Sequence, residues 1–118
     1  MFDADVNEVN KAEVNEELVQ QWKQQHGDVY KLSGEDDDGK AMAFYFRKPG
    51  RSDLSRFTKE VTKDMMKATN NLVFGCLLFP SPDVLRKMAE NKPGIVLALG
   101  GELQKIVGSN QDFLSEKL

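Results

Sequence analysis

The sequence predicts an α+β domain: an N-terminal helix, a two-stranded antiparallel β-hairpin, then about four helices. Three observations carry that expectation. Val14, Leu18 and Trp22 recur at four-residue spacing, Met42, Phe44 and Phe46 alternate with Ala43 and Tyr45, and helical spacing returns after Pro49. A length of 118 residues with 40% apolar content suits one domain with one core, spanning residues 1–118 with frayed ends at 1–9 and 115–118.

The first helix is expected over about residues 10–25. Val14, Leu18 and Trp22 share a face, while Glu16, Glu17, Gln20, Lys23 and Gln24 cover much of the rest. Asn10 with Glu13 has the spacing of a capping box, and Gly27 stands where a left-handed C-terminal cap is wanted. Strands follow over residues 29–33 and 40–47, with Asp38-Gly39 supplying a turn of positive φ. Pro49 has no N–H for a ladder, so the second strand ends near Lys48.

Everything after Pro49 reads as helix. Ser52 is the expected N-cap, and Leu54, Phe57, Val61, Met65, Ala68 and Leu72 form one stripe. Residues 72–79 are apolar on all sides, a pattern that either continues this helix or restarts after Asn70-Asn71. Phe79-Pro80-Ser81-Pro82 breaks the chain, with Ser81 as cap and Pro82 at the first helical position. A short helix over about 82–90 turns Val84, Leu85 and Met88 inward, and a buried helix covers 95–107 until Gly108. Gly100-Gly101 each cost roughly 1 kcal/mol against alanine there, which a closely packed neighbouring helix would justify. Phe113 and Leu114 belong to a last turn over 111–118.

Composition narrows the function classes. The formal charge is -3, and cations and anions are mixed along the chain, unlike the clustered basic excess of a nucleic-acid binder. Anionic membrane is disfavoured for the same reason, and residues 72–79 are far too few for a span. With one cysteine and no basic-then-apolar leader, the expected location is cytoplasmic.

No residue pattern reads as a catalytic, cofactor or metal site. Cys76 lies among apolar neighbours that raise a thiol's pKa, so it is expected to be buried and inert. His26, the sole histidine, has no partner at a recognisable spacing. Counting a calcium loop from Asp36 places Ala41 sixth and Arg47 twelfth, where glycine and glutamate are required. Gly94 and Gly100-Gly101 lack phosphate-loop spacing. The one basic cluster holds Arg47, Lys48 and Arg51 beside Tyr45. It is either a cationic patch for an acidic partner or a connector whose charges balance Asp53 and Glu60.

Taken together, Trp22-Lys-x-x-His-Gly27, Phe44-Tyr-Phe-Arg-Lys-Pro-x-Arg51, Pro82-Asp83 and the Pro93-Gly-opened segment resemble small tail-assembly-chaperone proteins of long-tailed phages and prophages. The resemblance spans about residues 18–108. It implies a non-enzymatic role, holding tail-tube and tape-measure proteins during assembly, and it carries over no catalytic residues.

The leading expectation is therefore a binding protein without chemistry of its own. A bacterial adaptor or regulatory protein is the alternative, and a small-molecule enzyme stands third. Trp22 is expected to anchor the first helix. The Tyr45 face of the hairpin, or its outer edge, is expected to meet a protein partner or a second copy, with Tyr45, Arg47, Lys48 and Arg51 as the binding residues.

Overall fold

The computed structural model of the chain describes residues 14–36, 38–108 and 115–118. Helix α1 (Glu16–His26) starts at Asn15, whose side-chain oxygen accepts the Leu18 N–H at 2.9 Å. Glu16 and Glu17 follow in its first turn, where acidic groups suit the helix dipole. The helix stops at Gly27, which takes a φ of 84°. The expected capping box of Asn10 and Glu13 lies outside the described residues.

Strands β1 (Val29–Glu35) and β2 (Ala41–Arg47) form the expected antiparallel hairpin, in register from Val29 opposite Arg47 to Glu35 opposite Ala41. β1 runs two residues further than its pattern suggested because Asp36 closes the turn. Its carboxylate accepts the N–H groups of Asp38 and Lys40, each at 2.9 Å, and Gly39 takes a φ of 80°. The acidic run thus serves turn geometry.

Two departures follow Pro49. The stripe from Leu54 to Leu72 is split between α2 (Arg51–Val61) and α3 (Met65–Cys76). The break is chemical: Asp64 takes an extended conformation and accepts the Lys67 N–H at 3.0 Å, restarting the helix. The two helices then pack together, and Asn71 on α3 donates to the Glu60 carboxylate at 3.0 Å. The N-cap position of α2 falls on Gly50 instead of Ser52.

The second departure adds a strand. Residues 77–79 leave the helix and form β3 (Leu77–Phe79), antiparallel to β2, with Phe79 opposite Tyr45 and Leu77 opposite Phe46. The sheet therefore has three strands in the order β1-β2-β3, and the second half of the chain is not wholly helical. An all-apolar run has no periodicity to separate helix from strand. The open edge of β2 decides it.

Helices α4 (Pro82–Asn91) and α5 (Gly94–Ile106) complete the body, with Pro82 in the first turn of α4 and Gly108 at a φ of 86° after α5. Of the expected last turn, residues 111–114 lie outside the described residues, and 115–118 are exposed without regular structure.

The alternation in β2 builds the layers. Phe44 and Phe46 face the helices and pack with Leu72, Val73 and Cys76 of α3, Leu85 of α4, and Val96, Leu99 and Leu103 of α5. Phe46, Leu85 and Leu103 are fully buried, each contributing roughly 1.5–3 kcal/mol by leaving water. Tyr45 and Phe79 face the other way, and Trp22 of α1 lies across both at centroid distances of 5.6 and 6.5 Å. The order is helix, sheet, helices.

Candidate surface at the sheet-to-helix connector

The connector from β2 to α2 is built around Arg47. Its guanidinium donates to both Asp53 carboxylate oxygens, at 2.8 and 3.1 Å, and to the Gly75 carbonyl near the end of α3 at 3.1 Å. Asp53 also accepts the Gly50 N–H at 2.7 Å, so one carboxylate caps α2 and holds the strand end. The Arg47 hydrogen bond, helped by Gly50, holds the Asp53 carboxyl below its ordinary value against the opposing effect of burial. The same bond holds Arg47 above its own ordinary value. Arg47 joins three elements and is spent on the fold.

Tyr45 is likewise committed. Its ring is half-buried beneath Trp22, and the Lys31 ammonium sits 5.9 Å from its centroid on the neighbouring strand. The face expected to lack cover is covered by α1, because the core helices already occupy the opposite face.

Lys48 and Arg51 are different. Both are exposed, and neither forms an ion pair among the described residues. They border a shallow groove whose apolar wall includes Leu54 on α2 and Ile106 and Val107 at the end of α5. Pattern reading found the two cations and missed this wall, because Ile106 and Val107 reach the connector only through the tertiary fold. The spacing Gly50-x-x-Asp53 was a legible signal for the role of Asp53.

A second groove lies between the hairpin tip and α4, with Met42, Val84, Met88 and Ile95 among its lining. Its rim mixes Asp36, Asp83 and Glu90 with Lys87 and Lys92, so it selects no charge.

Cys76 is fully buried, and desolvation pushes its thiol up to about 11, well away from a nucleophilic thiolate. His26 is exposed at the end of α1. Among the described residues no group of three or more His, Cys, Asp or Glu side chains could hold a metal ion. None of the described helices is long and apolar enough to cross a membrane.

A family model described as a domain of unknown function, DUF6848, matches residues 22–116. The chain is also similar to a solved structure, the uncharacterised protein rbstp2171 from Bacillus stearothermophilus. The two share 35% identity and superpose with a TM-score of 0.70, over 84% of this chain and 99% of the other. No curated protein matches.

Proposed function

The chain belongs to the DUF6848 family, and from that premise we propose that it is a non-enzymatic protein-binding domain. The observation that carries the reading is the division of labour at the connector. Arg47 and Tyr45 are consumed by the fold, while Lys48 and Arg51 flank an apolar wall. Two cations beside Leu54, Ile106 and Val107 suit an extended partner segment carrying acidic and apolar residues. The buried, high-pKa thiol of Cys76 also fits a role in binding better than one in bond making.

The resemblance to tail-assembly chaperones supplies the first clients to try, the tail-tube and tape-measure proteins. A Lys48→Glu/Arg51→Glu variant reverses the charge without touching the Arg47–Asp53 pair. Purified wild type should bind one of these clients in titration calorimetry, with affinity falling as salt rises, and the variant should lose most of that affinity. No binding by the wild type would remove the tail-assembly role. Binding that the variant retains would move the interface away from this groove.

A further inference from the structure

The free edge of β1 carries a pattern that fits a second copy of itself. Asp36 donates its N–H to Lys40 and Lys48 donates to Asp28, both within the ladder register of the hairpin. Hydrogen-bonded positions alternate in an antiparallel pair, so the even-numbered residues of β1 turn their main-chain groups toward β2. Val29, Lys31, Ser33 and Glu35 turn theirs outward. The strand order leaves that side without a paired strand among the described residues, and the Trp22 ring of α1 packs on Tyr45 of β2 and Phe79 of β3. Both Lys31 and Glu35 are exposed, and Glu35 forms no ion pair among the described residues.

We infer that β1 pairs with β1 of a second copy, antiparallel about a two-fold axis through Ser33, giving a six-stranded sheet across the dimer. Among axes at Lys31, Leu32, Ser33 and Glu35, the charges within β1 favour this register. With the axis at Ser33, Lys31 of each copy stands opposite Glu35 of the other, forming two reciprocal ion pairs. With the axis at Lys31 the two lysines face each other, and with the axis at Glu35 the two glutamates do. An axis at Leu32 leaves Lys31 opposite Ser33 and Glu35 opposite Val29. The Ser33 register also pairs outward-facing main chain with outward-facing main chain, at residues 31, 33 and 35.

Gly34 gives independent support. A Cβ there would meet nothing within 4 Å, and its φ is not positive, so the subunit's own fold does not require glycine. Glycine in a strand interior weakens the strand and often marks a bulge, a tight bend or the close approach of a ligand or another backbone. In the proposed register Gly34 stands opposite Leu32 of the second copy, on the side that bears Phe44 and the core.

Sedimentation equilibrium over a concentration series tests the pairing on the intact chain. Wild type should dimerise. Lys31→Glu and Glu35→Lys each turn two attractive pairs into two repulsive ones and should weaken dimerisation by about tenfold or more. The combined charge swap should restore it. Ser33→Pro removes only an outward-facing N–H, so it should abolish the dimer and leave the subunit folded by circular dichroism. The inference is overturned by a wild type that stays monomeric at every concentration, which would leave the edge to a strand from another protein. It is equally overturned by a dimer that neither single charge reversal weakens, or by a swap that fails to recover it.

Discussion

Gly100 and Gly101 are neighbours on α5, yet alanine should stabilise the protein at Gly101 and not at Gly100. A Cβ on Gly100 would lie 2.6 Å from Thr69 Cγ2 and 3.6 Å from Val73 Cγ2, both on α3. The Thr69 methyl cannot easily yield: the residue is buried, and its hydroxyl donates to the Met65 carbonyl at 2.8 Å, which holds the rotamer. A Cβ on Gly101 would meet nothing within 4 Å. Replacing a helix-interior glycine by alanine gains about 0.8–1 kcal/mol in propensity, and overpacking costs about 1–3 kcal/mol. Gly101→Ala should therefore stabilise the protein by nearly 1 kcal/mol, and Gly100→Ala should leave it anywhere from unchanged to ~2 kcal/mol weaker.

Urea unfolding with a common slope reads the difference as separated midpoints. Thr69→Ser supplies the control, since it deletes the clashing methyl and keeps the hydroxyl bond. Alone it should cost about 0.8 kcal/mol for the lost methyl. Combined with Gly100→Ala it should be more stable than the two separate effects sum to, by about 1 kcal/mol or more. Equal stabilisation by both alanines, or strict additivity with Thr69→Ser, would refute the close crossing of α3 and α5.

Trp22→Ala should cost about 3 kcal/mol by removing the ring that ties α1 to Tyr45 and Phe79. An unchanged unfolding midpoint would mean that α1 gains its docking elsewhere. Asp53 has a folded pKa below its ordinary 3.8, so its contribution is fully present above that value and is lost as pH falls through the folded pKa. Asp53→Asn should therefore lower stability by about 1 kcal/mol near neutral pH and flatten the acid limb of the stability profile. A parallel shift of the profile at all pH values would show that the carboxylate charge is not what binds Arg47.

Much of the hairpin and the C-terminal stops of α1 and α5 were legible because the signals are local. Alternation in β2 follows from the two-fold period of a strand, and the stops at Gly27 and Gly108 follow from positive φ. Leu77 to Phe79 was not legible, since whether an apolar run coils or extends depended on the edge offered by β2. The break at Asp64 was present in the sequence as a capping residue, yet the helical stripe runs through it without a phase error. At the connector, the cations could be read and their fates could not. Arg47, Lys48 and Arg51 are alike as charges, and only the positions of Asp53 and the Gly75 carbonyl distinguish them.

By itself the sequence determined the hairpin with its alternation in β2 and the helix stops at Gly27 and Gly108, because each of those choices is made by a residue and its near neighbours. It also determined that the core would be aromatic and aliphatic and that Cys76 would lie within it. The tertiary structure alone decided that the sheet has a third strand, that α1 covers Tyr45 through Trp22, and that Gly100 and not Gly101 meets α3. Those outcomes depend on which surfaces are left open once the hairpin and helices have formed. Residues far apart in the chain settle them by competing for the same faces and edges.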